Sequence, residues 1–441
     1  MSKNWSKILL VSMLVVVFAS SLAFATTSRV RSLANSGDYL SDDSNVFRWY
    51  STLPSYAHLV QAELGTFYGV YYDGVALSSR GLSLNYGCGE DAKWGTYRIT
   101  LLEYAVDDPA FNSINPFFSG LTPGNIADNV AAPYNSTPVN KWDVAGGWEL
   151  GESFTLGVAL TRSSFKTEDE TEDTSTKISS SFTTIGAGLT WSNNEDMLLD
   201  LAFTYGFAGG ESEYTADPTP DPAKIEWDGK NAFAIAGRMF WDWKDFVKLV
   251  PVIEYGQAEY SLTRTETGYP SPNGNKVMGF RGGVGLDIEV NGDNTLIFAA
   301  EFQTAKSEYA NPDTLSSSDK EESITVLPTL KLALESEITS WLTTRIGATH
   351  NNVSTKQTAV GGDEFKYTND SPGEEDFLSS FEWFLGVGFN VAEWVIDMEL
   401  SPETPFSVGY WLTGYSAFGG FVDGPFSGSG PVYRISGAYH F

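Results

Sequence analysis

Twelve charged side chains, on the polar faces of segments that alternate in polarity, are the residues with which this sequence could do chemistry. They are Arg98, Asp200, Arg238, Arg281, Asp287, Glu289, Glu301, Lys331, Glu335, Glu382, Asp397 and Glu399. An Arg or Lys that faces lipid costs about 2–4 kcal/mol at the middle of a bilayer, so we expect these groups to line an interior. Both signs occur, with acids in excess. That interior is therefore either a hydrated pore that selects ions by rings of charge, or a lumen filled by paired side chains and a plug.

The histidines give no sign of a metal site or of an enzyme. They are His58, His350 and His440. None has a metal-ligating neighbour four residues away, and none belongs to an HExxH pattern. A Ser–His pair needs mutual hydrogen-bond reach and an orienting third group, and only His350, with Asn351 and Ser354, comes near this arrangement. We therefore expect no catalytic residue, no cofactor and no metal.

The composition excludes three further classes. The chain has 441 residues and a formal net charge of −29, the reverse of the basic surface that a nucleic-acid binder needs. Its single cysteine, Cys88, lies in a predicted turn and has no disulfide partner, which excludes a secreted domain held together by disulfides. An aromatic content of 14% is too high for a disordered acidic chain. What remains is a folded, acidic, β-rich protein.

The charges lie on segments whose residues alternate between an apolar and a polar or small face. In 196–207, Leu199, Leu201, Phe203 and Phe207 share one face, whereas Asp200 lies on the other. The pattern recurs in 278–290, 294–304, 324–335, 381–389 and 392–400. A period of two residues predicts β-strands with one apolar face. A soluble β-sandwich alternates in the same way, so the period alone does not decide the fold.

The lengths of the connections favour an outer-membrane barrel. Short polar turns are predicted at 151–153, 192–196, 242–245, 291–294, 335–339 and 390–393. They alternate with long polar loops at 105–140, 164–178, 210–229, 262–275, 309–321, 354–377 and 401–430. Short periplasmic turns and long extracellular loops are typical of transmembrane β-barrels. We predict an all-β, antiparallel up-and-down barrel of about 16 strands over 58–441, or 14 if the hairpin at 58–86 lies outside the wall.

The first 25 residues are predicted to be a secretory signal peptide. Lys3 and Lys7 precede the apolar run 8–18, and Ala23 and Ala25 form a small-x-small cleavage site. We expect cleavage after Ala25, and the alternative is a retained membrane anchor. The mature chain would then consist of an N-terminal segment, 26–57, and the barrel, located in the outer membrane of a Gram-negative-type bacterium.

The end of the sequence resembles the C-terminal strand of Gram-negative outer-membrane barrels. Tyr433, Ile435, Tyr439 and Phe441 fall on one face. The resemblance implies recognition of this strand by the barrel assembly machinery; the alternative is an ordinary edge strand. Tryptophans beside the short turns, which fit an interfacial girdle facing outer-membrane lipid, are Trp191, Trp241, Trp243, Trp341 and Trp394.

The segment 29–56 resembles the opening of the outer-membrane fatty-acid channel family. The matching residues are Ser32, Leu33, Gly37, Asp42, Asp43, Asn45 and Phe47, whereas Arg48-Trp49-Tyr50 stands in place of that family's Asn-Pro-Ala step. The resemblance implies a plug inside the barrel on the periplasmic side. The alternative is an extended leader outside the barrel.

Two predicted loops have features of their own. Loop 105–140 contains five prolines and several apolar residues, and we expect it either to fold into the barrel mouth as a constriction or to form a lid. Loop 164–178 is rich in Asp and Glu; a solvated acidic loop and a divalent-cation site are the two interpretations.

The sequence predicts a porin-like channel that passes small solutes passively and prefers cations, because acids dominate the inward faces and the loops. The alternatives are a non-conducting structural or interaction barrel and a channel for hydrophobic molecules. Homo-oligomers are compatible with this strand number, but no interface can be recognised in the sequence.

Overall fold

The computed structural model shows a single antiparallel sheet that closes on itself. It describes residues 26–72, 75–89, 92–103, 140–170, 174–193, 197–216, 223–264, 275–309, 320–359, 364–367, 379–400 and 432–441. The strands are β1 (Leu59–Tyr72), β2 (Val75–Gly87), β3 (Thr96–Glu103), β4 (Asn140–Glu149), β5 (Phe154–Glu170), β6 (Thr174–Asn193), β7 (Met197–Ala216), β8 (Ala223–Lys244), β9 (Val247–Arg264), β10 (Asn275–Asn291), β11 (Asn294–Tyr309), β12 (Lys320–Thr339), β13 (Leu342–Ala359), β14 (Glu364–Tyr367), β15 (Ser379–Val391), β16 (Trp394–Leu400) and β17 (Val432–His440).

The wall of the barrel has 16 strands. Each strand pairs with its neighbour in sequence, and β1 pairs with β17, with Leu59 opposite His440. The short β14 pairs only with β13, which continues its own pairing with β15, so β14 is not part of the wall. The predicted all-β barrel of about 16 strands is therefore confirmed. The alternative of 14 strands is wrong, because β1 and β2 both belong to the wall.

The barrel buries polar side chains and exposes apolar ones, the reverse of a soluble protein. On β7, Asp200 is fully buried whereas Leu201 and Phe203 are each 43% exposed. The same parity holds on the neighbouring strand, where Arg238 is buried and Ile235 is 50% exposed. An apolar outer face and a polar inner face are the arrangement of a barrel surrounded by lipid.

Several strands are longer than the sequence pattern predicts. Pairing continues to Glu170 opposite Ser175 and to Tyr214 opposite Ala223, so the loops expected at 164–178 and 210–229 are largely strand. On the outer face of β5, the apolar Leu160 is followed by the polar Arg162 and Ser164 and then by charged side chains. Because about 9–11 residues cross a bilayer, the outer ends of these strands extend beyond the apolar belt. The expected constriction at 105–140, apart from Asn140, and the whole loop at 401–430 lie outside the described residues.

Residues 26–57, here called the plug, lie inside the barrel. They form a short α-helix (Thr27–Ser32) and three 3₁₀ helices (Gly37–Tyr39, Asp43–Phe47 and Tyr50–Tyr56). The hydroxyl of Thr26 and the carboxylate of Asp42 cap two of these helices by accepting hydrogen bonds from the backbone amides of Arg29 and Ser44. None of the helices in the described ranges is long and apolar enough to cross a membrane.

Apolar side chains of the plug form small cores with inward-facing wall residues. Leu33, Tyr39 and Leu40 pack with Val250 and Ile297, among others. Another group joins Val46, Phe47, Tyr50 and Leu53 of the plug to Ala145 and Ala159 of the wall. Small wall residues at these positions leave room for large plug residues, so the apolar core of this protein lies between plug and wall.

Candidate functional site: the lumen and its plug

Wall glycines allow the plug backbone to approach the barrel closely. A Cβ atom at Gly157 would lie 2.2 Å from the backbone carbonyl carbon of Tyr50, and one at Gly186 would lie 2.2 Å from the Tyr50 ring. Gly285 is equally close to the ring of Tyr39 on another part of the wall. A real Cβ cannot occupy these positions unless the plug moves. The wall is therefore shaped to hold this segment.

Asp38 of the plug is the centre of one buried ion cluster. Its carboxylate accepts hydrogen bonds from Arg48 at 2.9–3.0 Å and pairs with Arg281 of β10. Both guanidinium groups also pair with Glu254 of β9, at 2.6 and 3.0 Å. Burial alone would raise the pKa of Asp38, but the surrounding guanidinium groups outweigh it and hold this pKa well below its ordinary value. The plug is thus tied by charge to the wall at β9 and β10.

A second ion cluster holds the α-helix of the plug. Arg29 forms two hydrogen bonds to Glu335, at 2.6 and 2.7 Å, and its third contact is Asp42 at 3.1 Å. Arg345 bridges Glu335 to Asp397, and Asp397 also accepts a hydrogen bond of 2.8 Å from the hydroxyl of Thr26. The network joins plug and wall residues at both of its ends, so the plug cannot leave without depriving a buried charge of its partner.

Two further basic residues of the wall, Arg98 and Lys331, bind backbone carbonyls of the plug. Arg98 makes a two-pronged pair with Asp143, at 2.8 and 2.9 Å, and donates to the carbonyl of Val46. On β12, Lys331 has the same role in simpler form, since it pairs with Glu301 of β11 at 2.9 Å and donates to the carbonyl of Asn35. The wall charges therefore donate hydrogen bonds to backbone carbonyls of the plug that its own short helices leave without a donor.

The structure places the twelve candidate lumen residues on inward faces, but most of them do not line open water. Those that contact the plug or pair within the wall network are Arg98, Asp200, Arg238, Arg281, Glu301, Lys331, Glu335, Asp397 and Glu399. Asp287 is half-buried, whereas Glu289 and Glu382 are exposed. Only these last two therefore resemble residues of a hydrated pore.

Sequence analysis missed the partners of these residues. They are Glu63, Asp143, Glu254, Arg345 and Arg434 on the wall, and Arg29, Arg31, Asp38 and Arg48 on the plug. A usable signal existed on the wall, because opposite charges face each other across neighbouring strands: Arg281 opposite Glu254, and Glu335 opposite Arg345. Strand register was needed to recognise it.

One cavity lies between the plug and the wall formed by β17, β1, β2 and β3. It is partly open, and its volume is about 20 Å³. Thr26 and Phe47 border it from the plug, and Gln61, Glu63 and Thr100 are among its wall residues. This cavity is free space at the level of the plug.

Asp43, which lies beside the cavity-lining Gln61, is a buried carboxylate without an ion-pair partner among the described residues. It is 1% exposed, and neither carboxylate oxygen has a hydrogen-bond partner of good geometry among the described residues, although the Gln61 carboxamide lies beside it. Burial, together with the neighbouring Asp42 carboxylate, raises the pKa of Asp43 well above its ordinary value. Nothing in the helix that Asp43 begins requires a charge at this depth.

The predicted assembly strand forms the seam of the barrel. Ile435 and Tyr439 lie on the outward side of β17, between the buried Arg434, Ser436 and Ala438. The ring of Tyr439 stacks with that of Phe441 at 6.3 Å. Tyr433 belongs to the same strand, but its side chain lies outside the described part.

The histidines and the cysteine are dispersed. His350 faces outward on β13, in register with Leu330 and Phe381, and His58 packs edge-on against Phe441. Cys88 is free and half-buried in the connection from β2 to β3. In the described ranges, no group of three or more His, Cys, Asp and Glu side chains could hold a metal ion.

Comparison with known proteins finds similarity at the level of solved structures. No protein-family model matches the chain, and no curated protein matches it. The copper transporter OprC is 12% identical with a TM-score of 0.38, over 77% of this chain and 66% of that chain. A FadL homologue of Pseudomonas aeruginosa is 11% identical with a TM-score of 0.40, over 95% and 99%. The alcaligin outer-membrane receptor FauA of Bordetella pertussis is 10% identical with a TM-score of 0.37, over 78% and 67%.

These solved structures are outer-membrane β-barrels. This chain covers about two thirds of the length of OprC. The strand pairing and the distribution of buried residues establish the barrel independently of these similarities.

Proposed function

We propose that this protein is a channel of the bacterial outer membrane that passes small solutes passively and prefers cations. The observation that carries the proposal is the lumen itself: a closed barrel with an apolar outside encloses a polar interior, and a plug narrows that interior without filling it. A narrowed, water-accessible interior restricts passage by size.

The cation preference rests on two exposed acids, one near each end of the lumen, for which the described residues provide no ion-pair partner. Glu382 lies on the inward face of β15, which it shares with Gly386 and Gly388, and its side chain is exposed. Glu289 occupies the inward face of β10 near the short-turn rim and is also exposed. Most inward-facing cations, by contrast, are paired with carboxylates. Exposed acids at the entrances concentrate cations and repel anions.

Planar-bilayer recordings in a salt gradient test both parts of the proposal. We expect a measurable conductance and a reversal potential of the sign that cation selectivity gives. The Glu382→Lys variant should shift the reversal potential toward anions. Ser164→Lys places the same charge on the outer face and should leave the reversal potential unchanged. Anion preference of the unaltered protein would contradict the cation preference.

A second candidate, a non-conducting structural barrel, is favoured by the ion pairs that tie the plug to the wall on several sides. A barrel that shows no conductance, and takes up no small solute when reconstituted in liposomes, would establish this alternative. Cell fractionation and N-terminal sequencing test the proposed location and the cleavage after Ala25. Loss of folded barrel on deletion of Phe441 would support recognition of β17 by the assembly machinery.

A further inference from the structure

Thr26, the residue that follows the proposed cleavage site, is buried deep in the lumen. It is 3% exposed, its hydroxyl donates to Asp397, and it borders the cavity that Gln61 and Glu63 also line. Cleavage after Ala25 would convert the Thr26 amide into an α-ammonium group. That group has three donors and one positive charge, and it is separated from the Thr26 hydroxyl by only three covalent bonds.

The surroundings of Thr26 are short of positive charge. The described network around it contains six acids (Asp42, Asp43, Glu63, Glu335, Asp397 and Glu399) and four bases (Arg29, Arg31, Arg345 and Arg434). The arginines are each engaged with at least one of the other acids, so Asp43 is the carboxylate that none of them pairs with. A buried carboxylate without a partner is strongly unfavourable.

Asp43 and Thr26 are connected through two neighbours, Gln61 and Asp397. Asp43 lies beside Gln61 and within electrostatic range of Asp397, the acid that binds the Thr26 hydroxyl. The carboxamide oxygen of Gln61, which lines the cavity, likewise has no hydrogen-bond partner in the described part of the chain. A buried carboxylate without a cation and an amide oxygen without a donor thus lie near the residue at which cleavage would create a group with three donors.

We propose that the α-ammonium group released at Thr26 by signal-peptide cleavage binds in this cavity to the Asp43–Asp397–Gln61 site and thereby locks the plug in the barrel. The inference rests on the cleavage after Ala25 that belongs to the proposed function. Before cleavage, the acidic site lacks its cation and the plug is held less firmly. After cleavage, the chain's own amino terminus completes the ion network. Maturation therefore stabilises the docked plug.

The test compares two forms of the mature chain, refolded into detergent: one with a free Thr26 amine and one acetylated there. Asp43→Asn is introduced into both. In the acetylated chain the substitution removes an unpaired buried charge and should raise the urea midpoint at neutral pH. In the free-amine chain it removes the partner of the ammonium and should lower the midpoint. Asp42→Asn, which removes the charge that pairs with Arg29, should lower it in both.

A second readout follows the amine itself. In the folded free-amine barrel, the α-amine should react with an acylating reagent at least about tenfold more slowly than in urea, because an ion-paired ammonium is not nucleophilic. Adding one glycine before Thr26 displaces the amine by up to about 3.8 Å and should restore the reactivity. If Asp43→Asn shifts the midpoint in the same direction in both chains, or the amine reacts at the rate of the unfolded chain, the proposal is wrong.

The proposed function can fail separately. Intact mass shows whether cells cleave after Ala25, and bilayer recordings show whether the barrel conducts. Neither result alters the comparison of the two refolded chains, because both begin at Thr26 by preparation. A reversal of the Asp43→Asn effect in these chains supports the ammonium site even in a barrel that does not conduct.

Discussion

Arg238 and Asp200 face each other directly across β7 and β8, with the Nε of Arg238 2.9 Å from the Oδ2 of Asp200. The rest of the guanidinium group reaches into the plug, where Nη1 donates to the carbonyls of Gly37 and Leu40 at 3.2 Å and to the side chain of Asn45 at 3.1 Å. The guanidinium carbon also lies 4.7 Å from the centre of the Trp49 ring. One wall arginine thus organises the middle of the plug.

We expect Arg238→Leu to lower the free energy of unfolding by about 3–5 kcal/mol, because it leaves the carboxylate of Asp200 buried without its partner. The double variant Arg238→Leu with Asp200→Leu should cost less than the sum of the two single changes, since it removes both charges. Urea titrations of the refolded barrel measure all three variants. Additive costs would show that the pair is not coupled.

Substitution of Gly157 tests whether an added side chain on the wall displaces the plug. A methyl group at this position would collide with the Tyr50 backbone, so Gly157→Ala should cost about 1–3 kcal/mol and loosen the plug. We expect larger and noisier single-channel currents from this variant. Gly292→Ala, in a short turn with no atom within 4 Å of the added Cβ, is the matched control and should behave like the unaltered protein.

The lowered pKa of Asp38 predicts how the stability of the docked plug depends on pH. Its pKa is lower in the folded barrel than in the unfolded chain, so its contribution to stability is complete above the unfolded value and is lost as pH falls through the folded value. Asp38→Asn should therefore be destabilising at neutral pH, and the difference from the unaltered protein should shrink as the pH falls below about 4.

Unfolding midpoints between neutral and strongly acidic pH measure this difference. Glu168→Gln disrupts an exposed pair with Lys177 and should cause no measurable change at any of these pH values. A cost of Asp38→Asn that stayed constant down to the most acidic pH would mean that its charge does not hold the plug.

Phe203 tests which surface faces lipid. It lies outward on β7 within the apolar belt, and Phe203→Arg should destabilise the barrel in a bilayer by about 2–4 kcal/mol. Ser164→Arg puts the same side chain outward on β5, beyond Leu160 and next to the exposed Arg162, where we expect a change within about 0.5 kcal/mol. Equal costs at the two positions would contradict the placement of the belt.

The sequence was sufficient to predict the wall because a strand with one buried face has a period of two residues. Asp200 and Leu201 have opposite environments for that reason alone. The predicted loop boundaries were wrong where the outer face became polar, as at Arg162. A strand that is polar on both faces has the composition of a loop. The strand continues there because backbone pairing does not require an apolar face.

The plug could not be derived in the same way. Residues 26–57 have no periodicity, and their position depends on wall residues that lie far away in the chain. The contact between Tyr50 and Gly157, and the pair of Arg29 with Glu335, connect positions that no local pattern relates. The resemblance of 29–56 to another family implied a plug, but not which wall charges would bind it.

The seam between β1 and β17 has a consequence for the order of assembly. β1 follows the plug directly, and β17 follows every other strand, so the pairing of Leu59 with His440 is the step that turns an open sheet into a cylinder. Up to that step the plug can settle sideways onto the concave sheet and never needs to thread through a finished ring. After closure, the plug can enter or leave only through an open end of the cylinder.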